Sequence, residues 1–143
     1  SVFVSLADGE YEEKLKKADL TLVVQQPDSE IRILADGRRM WRVFDNLMNN
    51  ICKYAQPGTR VYINMESRDG KVEITFRNTS KYALNISSDE LMERFVRGDS
   101  SRNTDGSGLG LSIANSLMEL MGGTCNLYVD GDLFKVVLEF KQA

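Results

Sequence analysis

The 143-residue chain contains no histidine. This excludes a histidine-based catalytic triad, a histidine general base and any histidine-ligated metal site. Only two cysteines occur, Cys52 and Cys125, both among apolar neighbours and without CxxC spacing. They are expected as reduced thiols packed in or near a core. No apolar run approaches the ~20 residues of a membrane span. No dense Lys/Arg block appears and the formal net charge is -3, so the basic footprint of a nucleic-acid binder is missing. No signal peptide opens the chain, and it starts at Ser1 rather than Met, so it reads as an excised piece of a longer protein. What is present is ordinary globular material, 42% hydrophobic and 27% charged, enough for one domain with one packed core.

The pattern along the chain alternates strand and helix signals. The segment through Lys17 reads as a helix end or a separate short helix. Thr21 to Gln25 and Glu30 to Leu34 read as short strands parted by Pro27 and Asp28. After Asp36-Gly37, apolar residues recur at Met40, Val43, Phe44, Leu47, Met48 and Ile51, which predicts an amphipathic helix from about Arg38 to Tyr54. Gln56-Pro57-Gly58 stops it. Val61, Ile63 and Met65, then Val72, Ile74 and Phe76, alternate on either side of Asp69-Gly70, a hairpin signal. A polar stretch from about Thr79 to Ser107 follows. Within it a short helix is predicted from Ser88 to Phe95, with Ser87 and Glu90 spaced as a capping box. A second amphipathic helix ends at Gly122-Gly123. Strands near Thr124 to Val129 and Leu133 to Phe140, turned by Asp130-Gly131, close the chain. The expected fold class is α/β (α+β): a two-layer sandwich with helices on one face of a mixed, mostly antiparallel sheet.

Two elements carry chemistry. Asn46, Asn50 and Lys53 stand at i, i+4 and i+7, within a helical stripe roughly 60° wide that borders the apolar face. Asn is a poor helix former, and a purely solvated face favours Glu, Lys or Gln. A polar face with incidental Asn remains the alternative from the helix alone. The run GSGLGLSIA, Gly106 to Ala114, places glycines before a helix N-terminus, where free N–H groups and the dipole favour phosphate. It is neither GxGxxG nor a Walker A motif, since Leu111 stands at the third glycine position and no Lys-Ser/Thr follows. Alone it could equally be a flexible hinge.

Taken together, the motifs are more specific. NLMNNICKYA, from Asn46, resembles the asparagine box of histidine kinases. ERFVRGD, from Glu93, resembles their phenylalanine box, and GSGLGLSIA their second glycine box. Their order and spacing resemble the ATPase family that unites gyrase, a heat-shock chaperone, histidine kinases and mismatch-repair proteins. The resemblance covers roughly Ile31 to Phe140 and implies a Bergerat-type ATP-binding fold. It implies that Asn46, Asn50 and Lys53 form the catalytic set. Asn50 would give a carboxamide oxygen to Mg²⁺, and Lys53 would neutralise phosphate charge. Tyr54 would lie against the adenine of ATP. Gly106, Gly108, Leu109 and Gly110 would wrap the phosphates, Arg97 would reach the γ-phosphate, and Phe95 would anchor a lid spanning residues 79–107. Residues 1–18 would be a linker or helix arriving from a dimerisation domain.

Asn46 separates the branches of this family. In the hydrolysing relatives a glutamate that activates water stands one turn before the metal asparagine. An amide cannot be a general base near neutral pH. Asp45 is adjacent but points about 100° away on the helix. The resemblance therefore implies a kinase whose acceptor histidine lies on a separate dimerising domain of the same protein and whose phosphoryl group passes on to a response regulator. No nucleic acid or direct membrane contact is expected, and the domain would be cytoplasmic in a parent protein anchored in the cell membrane. One motif departs from the pattern. Where the family has a first glycine box like DNGPGI, this chain has NTSKYA, Asn78 to Ala83, so Asn78 replaces the adenine-reading aspartate and Ser80 and Tyr82 replace two glycines, which leaves a binding-only pseudokinase as an alternative beside the hydrolysing switch.

Overall fold

The computed structural model describes residues 2–4, 11–27, 31–80 and 109–142. The elements, in chain order, are β1 (Val2–Val4), α1 (Glu12–Lys17), β2 (Leu20–Gln25), β3 (Ile31–Ile33), α2 (Gly37–Tyr54), β4 (Thr59–Arg68), β5 (Lys71–Thr79), α3 (Leu109–Leu120), β6 (Thr124–Asp130) and β7 (Leu133–Lys141). Five strands form one sheet in the order β2-β4-β5-β7-β6. β2 runs parallel to β4, and every other pair in it is antiparallel. β1 and β3 pair separately, joined to the end of β7 by the Ile33–Gln142 bridge and by Leu34 N–H donating to the Lys141 carbonyl at 3.0 Å.

Period-2 patterning decides which face is buried. Val61, Ile63 and Met65 of β4, Val72, Ile74 and Phe76 of β5, and Phe134, Val136, Leu138 and Phe140 of β7 point into the core. The register stacks them directly, with Ile63 opposite Phe76 and Phe76 opposite Val136. Helix α2 closes that face with Met40, Val43, Leu47, Met48 and Ile51, all buried at the predicted helical spacing. Helix α3 lies beside α2 and adds Ala114, Leu117 and Met118. The outer face carries a polar row across the sheet. Arg77 lies over the Tyr62 ring at 5.1 Å, and Lys135 over Tyr128 at 4.9 Å. The architecture is thus the expected two-layer α+β sandwich.

Local chemistry sets the ends of the elements. The Asp36 carboxylate accepts from the backbone N–H of Arg38 at 2.8 Å and Arg39 at 3.3 Å, capping α2. The N–H groups of Arg39 and Arg38 hold its carboxyl below the ordinary carboxylate value. Asp69 and Gly70, with φ of 53° and 75°, form the two-residue turn between β4 and β5 that the Asp-Gly signal predicts. The second hairpin turns one residue later than expected. Asp130 pairs with Leu133 inside the ladder, and Gly131 takes the first turn position at φ 61°, a conformation glycine adopts without strain. Cys125 is buried and Cys52 half-buried, both free thiols as expected. Burial pushes the Cys125 thiol up to about 12 and also raises Cys52.

The start of the chain differs from the sequence expectation of a helix alone. Val2 to Val4 form a strand first, paired with Ile33 to Ile31, and the helix begins only at Glu12. Three residues are too few for periodicity to register, and their partner lies far along the chain. No helix among the described residues is long and apolar enough to cross a membrane. The predicted helix from Ser88 to Phe95 lies outside the described residues.

Helix α3 ends where Gly123 N–H donates to the Met118 carbonyl at 2.9 Å. A Cβ on Gly123 would stand 2.5 Å from the Glu139 carbonyl oxygen and 2.9 Å from Met118 Cε. The backbones of the helix end and of β7 therefore meet at a glycine because nothing larger fits. Gly123→Ala should cost about 1–3 kcal/mol, the usual range for forced overpacking. Urea denaturation checks this, and an unchanged midpoint would mean that β7 moves aside freely.

Candidate nucleotide site

The site is built at the C-terminal end of α2. Asn46 and Asn50 are half-buried and Lys53 is exposed, so the predicted stripe does run along the border of the apolar face. Tyr54 is half-buried, and the Lys53 ammonium lies 5.5 Å from its ring centroid. Directly after Tyr54 the chain is tied to the end of β5. Ala55 bridges to Ser80, and Gln56 N–H donates to the Thr79 carbonyl at 2.7 Å. This tie brings the last turn of α2 beside Asn78, the residue preceding Thr79.

Asn78 continues the inward alternation of β5 and is only 4% exposed. Its backbone is in the β5–β7 ladder opposite Phe134. Among the described residues its carboxamide meets no hydrogen-bond partner. An unmet buried amide costs about 1–3 kcal/mol. Extending the inward pattern Val72, Ile74, Phe76 by two reaches Asn78.

Asp45 is engaged elsewhere. Its Oδ1 accepts from the Tyr11 hydroxyl at 2.9 Å, on the side of α2 that faces the N-terminal segment. One turn later the Asn49 Oδ1 accepts from the Lys14 ammonium at 2.8 Å. Each residue so held immediately precedes one of the candidate-site asparagines on α2. Sequence reasoning missed both contacts, because they join residues 34 and 35 positions apart and leave no periodic trace.

Leu109 and Gly110 are the first two residues of α3, so the second glycine box does open a helix, as expected. α3 packs against α2, which carries the asparagines. Gly106, Gly108, Phe95, Arg97 and Tyr82 lie outside the described residues. No group of three or more Cys, Asp or Glu side chains clusters among the described residues. The Asn50 carboxamide, half-buried on α2, offers a hard oxygen donor of the kind that suits a Mg²⁺ ion taking its other ligands from phosphate and water.

Residues 35–142 match the family described as histidine kinase-, DNA gyrase B- and HSP90-like ATPase. The chain belongs to this family. It is 33% identical over 122 residues to the signal transduction histidine-protein kinase BaeS of Escherichia coli K12, a stretch covering 84% of this chain and 26% of BaeS. The chain thus spans about a quarter of the length of that relative. The catalytic domain of histidine kinase ThkA superposes with a TM-score of 0.79 at 22% identity, covering 99% of this chain and 97% of that domain. ThkA has also been solved in complex with the response regulator protein TrrA, with a TM-score of 0.74 over 93% of this chain and 37% of the other, at 22% identity. Full-length ShkA in complex with AMPPNP matches with a TM-score of 0.71 at 24% identity, over 93% of this chain and 28% of ShkA. The fold is that of the histidine-kinase catalytic domains.

Proposed function

We propose that this domain binds Mg-ATP at the C-terminal end of α2 and transfers the γ-phosphoryl group to a histidine on a separate dimerising helical hairpin, for relay to a response regulator. The buried carboxamide of Asn78, without a hydrogen-bond partner among the described residues, on the strand tied to the end of the helix that carries Asn46, Asn50, Lys53 and Tyr54, carries the reading. The kinase branch is favoured over the hydrolysing branch by the fate of the only nearby carboxylate on α2. Asp45 is turned toward Tyr11, and Asn46 offers an amide with no basic function. Phosphoryl transfer needs little beyond positioning and charge stabilisation, so a site without a base suffices when the acceptor supplies its own nucleophile.

The family resemblance implies the roles, and the chemistry of the side chains supports them. Asn78 reads the base edge, and Tyr54 lies against its ring. Lys53 offsets phosphate charge, and the N–H groups at the start of α3 receive the phosphates together with Gly106 and Gly108. Asn50 is the residue that would hold Mg²⁺, which supplies charge neutralisation between the phosphates when bound. Asn46 shapes the same wall without acting on water. Phe95 anchors the lid and Arg97 reaches the γ-phosphate. Residues 1–18 lead in from the dimerisation domain, and α1 is seated on α2 by Tyr11 and Lys14. The domain works on the cytoplasmic side of a parent protein anchored in the cell membrane, where ATP is available.

The chain has no histidine, and this gives a sharp test. With γ-labelled Mg-ATP the domain should not label itself. It should label a hairpin domain supplied from its own parent protein, with the acid-labile linkage of phosphohistidine. Acid-labile label on the domain alone, or rapid phosphate release without acceptor, would refute the assignment.

A further inference from the structure

The base-reading residue is an amide, and the two edges of an amide are chemically opposite. The Asn78 Oδ1 only accepts hydrogen bonds and its Nδ2 only donates. Rotation by 180° about the last side-chain bond exchanges them within nearly the same volume. Adenine presents a donor at N6 and an acceptor at N1. Guanine presents the reverse pair, an acceptor at O6 and a donor at N1. A carboxylate only accepts, so it meets the adenine N6 donor, whereas of the guanine pair it can serve only N1–H and repels O6. A carboxamide can serve both bases in its two rotamers.

Three observations make this ambiguity available to Asn78. It is 4% exposed, so water does not easily take the place of a ligand contact. No hydrogen bond among the described residues locks its rotamer. Its described neighbours on the core face of the sheet, Phe76 two residues before it and Phe134 opposite, are apolar, so neither imposes a donor or an acceptor on one side. We infer that Asn78 makes this site purine-ambiguous, so that the domain takes guanine and hypoxanthine nucleotides as well as adenine nucleotides. The inference rests on the reading of α2 and β5 as a nucleotide site.

The test is calorimetric titration of the 143-residue chain with the magnesium complexes of ATP, GTP and ITP, for the parent and for Asn78→Asp and Asn50→Ala. The parent should bind all three, with ATP and GTP within about tenfold of each other, since either base makes two neutral hydrogen bonds. ITP shares the O6 and N1 pattern of guanine without its 2-amino group, so it reports the flip free of any steric penalty at that group. Asn78→Asp should widen the ATP preference over both GTP and ITP by about tenfold or more, because the carboxylate rejects O6 while its bond to N6 becomes charge-assisted. The parent comparison needs no variant, so it decides the matter even if a buried aspartate unfolds the chain. Rejection of ITP by the parent by more than about a hundredfold, or an Asn78→Asp variant that binds with the parent's ratios, overturns the inference. Asn50→Ala keeps that failure distinct from failure of the site itself. Loss of the magnesium-dependent affinity in this variant means the site stands and only the base reading is wrong. No binding of any of the three nucleotides to the parent overturns both.

Discussion

Asn50→Ala is expected to remove most of the magnesium-dependent affinity for ATP and to slow phosphoryl transfer by about two orders of magnitude, while leaving the fold intact. The residue is half-buried on α2, between the buried Met48 and Ile51 that hold the helix to the sheet. Replacing it takes away an oxygen donor and little packing. Alanine gains some tenths of a kcal/mol of helix propensity, so thermal stability should hold or rise slightly. The loss falls on function, because a preorganised electrostatic contact in phosphoryl transfer typically carries about 10²–10³ in rate. Titration of ATP with Mg²⁺ and again with a chelator separates the two contributions to binding. The variant should resemble the parent in chelator and differ from it only with metal. If Asn50→Ala binds Mg-ATP as tightly as the parent, the site has been placed on the wrong residues.

Periodicity made most of the fold legible. The apolar repeat of α2, from Met40 to Ile51, located a helix whose observed bounds, Gly37–Tyr54, differ from the expectation by one residue at the start. Asp-Gly between alternating runs located the β4–β5 hairpin, since few other residue pairs adopt the positive φ that Asp69 and Gly70 show. Where the pattern failed, the determinant was non-local. β1 exists only because Ile31 to Ile33 offer it an edge, and α1 is tied to α2 through Tyr11 and Lys14, contacts no short window reveals. The parallel pairing of β2 with β4 is likewise a property of the closed fold and not of either strand.

The site was legible to a different depth at each residue. The spacing of Asn46, Asn50 and Lys53 fixed their common face, and the burial pattern agrees with it. Asn78 entered as a departure from a motif, and its significance comes from burial that composition alone would not assign to an asparagine. The direction of Asp45 could be stated from helical geometry as about 100° away from Asn46. What it meets there, the Tyr11 hydroxyl, required the tertiary structure.

Fold and site also share one support, which yields the largest expected effect on stability. Phe76 is 1% exposed and meets Phe44 of α2 edge-on, with ring centroids 5.7 Å apart and planes at 67°. Phe44 lies two residues before Asn46, and Phe76 two residues before Asn78. The aromatic pair therefore joins the helix that carries Asn46 and Asn50 to the strand that carries Asn78. Phe76→Ala should cost about 3–5 kcal/mol, the range for emptying a buried aromatic position. Against a total stability of about 5–15 kcal/mol for such a domain, this is a large share. Urea denaturation measures the loss, and a change under about 1 kcal/mol would mean that the rings do not seat the helix. Leu138→Ala serves as the control for a local effect on the site. Leu138 is equally buried, on β7, and pairs with Ile74 and Cys125 away from the end of α2. Under conditions where both variants remain folded, Phe76→Ala should weaken ATP binding further than Leu138→Ala does, because only the first lets α2 shift relative to Asn78. Equal affinities in the two variants would show that the wall of the site is held by the Ala55–Ser80 tie and not by the aromatic contact.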